Sequence, residues 1–75
     1  MSQFLLIVPE GWTELDLNTV TQNGDLTVGN IETWIQQNLL YELNDRLHQF
    51  GIIDSALTVN EAKLIDGTYF LVRLG

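Results

Sequence analysis

Few residues in this chain could do chemistry, and their spacing restricts what that chemistry could be. Asp45 and His48 stand three apart in a helical stretch, so they share one side of it and could form half of a metal site or an acid–base pair. Two further ligands would be needed, and no spacing supplies them; the plainer reading is a surface pair near a helix C-terminus. Glu10, Glu14 and Asp16 could cluster, and paired carboxylates act as acid and base when their surroundings split their pKa values. Nothing beside them suggests burial, so they read as solvated acids of a loop and a helix start. Nucleophilic catalysis needs a nucleophile, a base and an orienting group. Here Ser2 lies at an expected frayed end, Ser55 in a connection, and His48 is the sole imidazole. The absence of cysteine removes disulfides, thiol catalysis and thiolate metal sites. Gly24 and Gly29 are isolated and neither is followed by lysine, so no phosphate cradle is expected. The expectation is a protein that is not an enzyme, with no cofactor and no metal.

The elements that must position these residues belong to one small domain, 1–75. A chain this short buries only about 60% of the surface it exposes when unfolded, so a partner is the reinforcement expected. Arg46, Lys63 and Arg73 face ten acidic residues, for a net charge of −7. Three scattered cations make no basic stripe, which argues against direct binding to nucleic acid or to an anionic membrane. The acidity reads first as solubility. The sharper reading is a face that meets a basic partner; mimicry of DNA would want denser carboxylate rows than acids scattered from Glu10 to Asp66. No targeting signal is expected, and the apolar run at 4–8 stops at Pro9, far short of the about 20 residues that span a membrane.

That run, Phe4-Leu5-Leu6-Ile7-Val8, reads as a strand buried on both faces and hence central. Pro9-Glu10-Gly11-Trp12 reads as a turn in which Gly11 takes a positive φ. Thr13-Glu14-Leu15-Asp16 has the form of a capping box opening a short helix to about Gln22, although a hairpin about Asn23-Gly24 is the rival over residues 13–28. A long helix is expected from about Val28 or Asn30 to Phe50, capped by Thr27 or Asn30 and closed by Gly51. Ile31, Ile35, Leu39, Leu43, Leu47 and Phe50 fall on one face of it. Residues 57–65 and 68–74 flank Asp66-Gly67, a strong hairpin signal. A two-residue loop pairs Ile65 with Thr68, Lys63 with Phe70, Glu61 with Val72 and Val59 with Leu74. Leu64, Tyr69, Ala62 and Leu71 then face the helix, and Phe70, Val72 and Leu74 face outward. The expected class is α+β: a small three-stranded sheet of a central N-terminal strand plus a C-terminal hairpin, with one long helix packed across it. A crossover through that helix would set the first strand parallel to a hairpin strand.

The aromatic residues are the informative ones. Trp34 and Tyr41 lie seven apart, on the side of the expected helix away from its aliphatic stripe, where large amphipathic rings suit an interface. Trp12, beside the only proline, is either a further contact or a lid on the core. The expected contact residues are therefore Trp34, Tyr41, Phe70, Val72, Leu74 and Trp12.

At Phe4-Leu5-Leu6-Ile7-Val8-Pro9-Glu10-Gly11-Trp12-Thr13 and Leu64-Ile65-Asp66-Gly67-Thr68-Tyr69-Phe70-Leu71-Val72-Arg73-Leu74 the sequence resembles small proteins of the structural gene blocks of tailed actinobacteriophages. The resemblance covers both ends of the chain and carries no catalytic residue. It implies a virion or assembly component, such as a head–tail connector piece, a tail protein or a capsid accessory. Its partners would be other phage structural proteins or copies of itself, in the virion and, during assembly, in the host cytoplasm. The alternative is a small acidic effector that binds and inhibits a basic host protein. The ending Leu71-Val72-Arg73-Leu74-Gly75 is also similar to ubiquitin-like modifiers, but those carry a paired terminal glycine and begin with a tight hairpin, and this chain has neither pattern.

Overall fold

The computed structural model describes residues 7–22 and 24–75. It is an α+β fold in which three helices cover one face of a three-stranded antiparallel sheet. The elements follow in the order β1 (Trp12–Asp16), α1 (Leu17–Val20), α2 (Val28–Gln36), α3 (Leu40–Gln49), β2 (Val59–Leu64) and β3 (Tyr69–Leu74). The sheet order is β1-β3-β2, so the last strand in sequence is the central one.

That order corrects the expected topology. Residues 4–6 of the apolar run lie outside the described residues; Ile7 and Val8 form no strand, and Ile7 is 87% exposed. The strand that precedes the helices is β1, at an edge and antiparallel to its neighbour β3. The expected turn before it is present: the Trp12 amide donates to the Pro9 carbonyl at 3.1 Å, and Gly11 has φ 88°.

The capping box at Thr13 gives way to β1, because β3 offers those residues a full ladder of backbone partners that a short isolated helix does not. Capping moves to Asp16, whose carboxylate accepts from the Asn18 amide at 2.8 Å. The short helix is thus present but starts at Leu17, and Leu17 and Val20 are both buried. After it the chain turns through Gly24, which has φ 57°. A Cβ there would stand 2.7 Å from the Phe50 ring, so the backbone favours glycine and any side chain would require that ring to shift.

The single long helix is two. Thr27 caps α2 as expected, its hydroxyl accepting from the Asn30 amide at 3.1 Å. The helix then stops in a Schellman motif: Asn38 has φ 58°, its amide donates to the Ile35 carbonyl at 3.2 Å, and the Leu39 amide donates to the Trp34 carbonyl at 2.6 Å. α3 ends the same way about Gly51 (φ 69°), with Gly51 donating to His48 and Ile52 to Leu47. Packing explains the break. An unbroken helix over 28–50 would run about 34 Å, whereas six-residue strands reach only about 20 Å. Folding at Asn38 returns α3 over the sheet, so that Ile31 of α2 and Leu43 and Leu47 of α3 all reach the core.

The hairpin loop is also one residue longer than the expected two-residue loop, spanning residues 66–68. Leu64 pairs with Phe70, Lys63 with Leu71, Ala62 with Val72 and Glu61 with Arg73. A two-residue type I′ loop needs positive φ at both central residues, and Gly67 does not adopt it. Instead the Asp66 carboxylate accepts from the Thr68 amide at 2.7 Å, and Ile65 and Asp66 both donate to the Tyr69 carbonyl. A bulge between Val59 and Glu61 then restores the expected pairing of Val59 with Leu74.

The altered register exchanges the faces of β3 alone, while Ala62 and Leu64 of β2 face the helices as expected. Phe70 and Val72, expected outside, are fully buried beneath the helices. Leu74 is half-buried and also packs on this core. The core is completed by Leu17, Val20, Leu26, Ile31, Leu43, Leu47, Ile53 and Val59.

Candidate functional site

With the helices on one side, no element among the described residues covers the other side of the sheet, its open face. Alternation along the strands puts Trp12, Glu14 and Asp16 of β1, Tyr69, Leu71 and Arg73 of β3, and Glu61 and Lys63 of β2 on that open face. The register arranges them in rows across the sheet. Trp12, Arg73 and Glu61 make one row, and Glu14, Leu71 and Lys63 the next. In the third row Asp16 is followed by Tyr69.

Leu71 sits at the middle of this face and is only 4% exposed, although it is not part of the core under the helices. Lys63 and Trp12 come from opposite edge strands, yet the Lys63 ammonium stands 4.8 Å from the centre of the Trp12 ring. To meet, both must lean across β3, which places the apolar stem of Lys63 over its cross-strand partner Leu71. Arg73 is held by Glu61 at 3.8 Å in the outer row. Burial, and then the carboxylates of Asp66 and Glu14, hold the Tyr69 hydroxyl above the usual phenol range.

Charge is partitioned between the two sides. Two of the three cations, Lys63 and Arg73, lie on the open face among Glu14, Asp16 and Glu61, which leaves it nearly balanced. The third, Arg46 on α3, is shared by Asp25 at 3.7 Å and Asp45 at 3.2 Å. Among the described residues Glu32, Glu42 and Asp54 are in no ion pair, so more unpaired acidic charge lies outside the open face than on it.

The residues singled out from the sequence are dispersed. Trp34 is on α2 and Tyr41 on α3, so the break at Asn38 removes the shared helical side; Trp34 is half-buried against the core while Tyr41 is 68% exposed. Trp12 lies on the open face, and Phe70 and Val72 are inside. Asp45 and His48 are not brought together: Asp45 binds Arg46. His48 Nε2 lies 2.5 Å from the Leu57 carbonyl oxygen, to which it must donate, leaving Nδ1 to accept from the Asn44 amide at 3.4 Å. Among the described residues there is no group of carboxylates and histidine placed to hold a metal ion, and no enclosed pocket. Of the carboxylates considered from the sequence, Glu14 and Asp16 share the open face of β1, whereas sequence reasoning missed Tyr69, Leu71 and Lys63 as residues of that face. The signal was present in the alternation of β3, but it is legible only once the register of the hairpin is known.

Compared with protein families, with curated proteins and with solved structures, the chain shows no significant match in any of the three.

Proposed function

We propose that this chain is a non-enzymatic structural or assembly protein of a tailed phage, acting through protein–protein contacts. The observation that carries the reading is the open face of the sheet, where Trp12, Tyr69 and Leu71 gather among nearly balanced charges while the acidic helices point away. Amphipathic rings with charged groups at their margins are the composition of a protein contact rather than of a phosphate-binding surface. Tyr41, exposed in the first turn of α3, offers a second and smaller contact point. The phage setting rests on the resemblance at residues 4–13 and 64–74.

Mass spectrometry of purified particles tests this reading: the chain is expected at a fixed ratio to the capsid protein. Its absence from particles and from assembly intermediates would refute the phage setting. One observation favours the acidic effector as a second reading, namely the unbalanced carboxylates Glu32, Glu42 and Asp54 of the helical side. A partner gripped by these would dissociate as salt rises, whereas one seated on the sheet face through its rings would remain.

A further inference from the structure

We infer that the partner on the open sheet face is a second copy of this chain, packed face to face about a two-fold axis that runs along β3. The inference rests on the contact reading above and names the occupant of that face. Its basis is a charge pattern complementary to itself. Glu14 on β1 and Lys63 on β2 flank Leu71 in one row, on opposite sides of the central strand. They make no ion pair with each other.

A two-fold axis along β3 lays β1 of one copy over β2 of the other, row upon row. Glu14 then meets Lys63 of the second copy, and Lys63 meets its Glu14, so one residue pair makes two identical contacts. Leu71 meets Leu71 at the centre, and Tyr69 meets Tyr69 beside it. Arg73 approaches its own counterpart, but each guanidinium arrives with its Glu61 at 3.8 Å. An axis across the strands would instead bring Glu14 onto Glu14 and Lys63 onto Lys63, so the charges select one orientation.

Packed sheets lie about 10 Å apart and are rotated by about 30°. The Glu14–Leu71–Lys63 row is the middle one, closest to the centre of that rotation, and is displaced least. Lys63 reaches the second copy by swinging its flexible stem off the Trp12 ring, and the same movement uncovers Leu71 for its counterpart. The arrangement also suits a chain of net charge −7, because it joins the balanced faces and leaves the acidic helices on opposite outer sides.

Sedimentation equilibrium of the whole chain is the first measurement, and twice the 8.5 kDa chain mass is expected across the micromolar range. The decisive one uses Glu14→Lys and Lys63→Glu as two separate proteins, each checked by circular dichroism for an unchanged fold. Alone, each variant places like charges opposite one another twice and should sediment as a monomer. Mixed in equal amounts, they restore opposite charges at both contacts and should sediment as a dimer containing one of each. A monomeric parent chain overturns the inference; variants that dimerise alone, or a mixture that stays monomeric, overturn it equally. A monomer found in particles would leave the phage reading standing without this interface, whereas a dimer missing from particles would do the reverse.

Discussion

Asn44 uses both ends of its amide to fasten α3 to the start of β2. Its oxygen accepts from the Val59 amide at 2.9 Å, beside the bulge, and its nitrogen faces His48 Nδ1. Asn44→Ala would leave the Val59 amide without this acceptor, at a cost of about 1–2 kcal/mol, read as a lower urea midpoint. Asn44→Asp keeps the oxygen and should recover part of the loss. Tyr69 makes a prediction about pH. Its phenol titrates above the ordinary value of 10.0 in the folded chain, first from burial and then from Asp66 and Glu14. The folded state therefore holds this proton more tightly than the unfolded one. The associated stability is intact below pH 10 and lost as pH rises through the folded value. In a Tyr41→Phe chain, where Tyr69 is the only tyrosine, the tyrosinate absorbance should rise later than in a free phenol, and Asp66→Asn should bring it earlier. At this scale the sequence was readable where a side chain acts on its near neighbours, as Thr27 does on Asn30. It was opaque where the partner is distant, as with Asn44 and Val59, fifteen residues apart.

Asn38 decides whether the helical segment is one element or two. It holds the left-handed conformation that closes the Schellman motif of α2, with φ 58°. Asn38→Ala should cost about 1 kcal/mol, since a Cβ without a compensating polar group disfavours that region. Asn38→Gly should be neutral or slightly stabilising; thermal unfolding of the two variants checks the order. Most of the apolar stripe was legible and does face the core: Ile31, Ile35, Leu43, Leu47 and Phe50 pack there, whereas Leu39 falls in the break and Leu40 packs on the core instead. The interruption was harder to see, since asparagine also occurs inside helices and only the limited width of the sheet favours its left-handed form. Likewise Asp66-Gly67 announced a hairpin, but the Asp66 carboxylate closing on Thr68 lengthened the loop and exchanged the faces of β3. A pattern of period two carries no label for which face is inner. Both Phe70-Val72-Leu74 and Tyr69-Leu71-Arg73 contain apolar residues, and only the register chooses between them.

For the whole molecule, one strand bears most of the tertiary structure. Phe70, fully buried on β3, lies between Leu15 of β1 and Leu64 of β2 and beneath the helices. Phe70→Ala should cost about 3–5 kcal/mol, against a total stability of roughly 4–11 kcal/mol for a domain of this size. Loss of cooperative melting, or a midpoint close to room temperature, is the expected result by circular dichroism. The α+β class and the three-strand count were legible from composition and segment order. The identity of the middle strand was not, because the uniformly apolar stretch at 4–8 looked more deeply buried than the mixed Tyr69–Leu74 strand. That β3 is central and follows β1 and β2 along the chain has a consequence for synthesis on the ribosome. As the polypeptide emerges, β1 and β2 have no ladder to join, and the helices have no floor to rest on. Only when the Phe70 and Val72 codons have been translated and their residues cleared from the exit tunnel can all the layers assemble, in one concerted event.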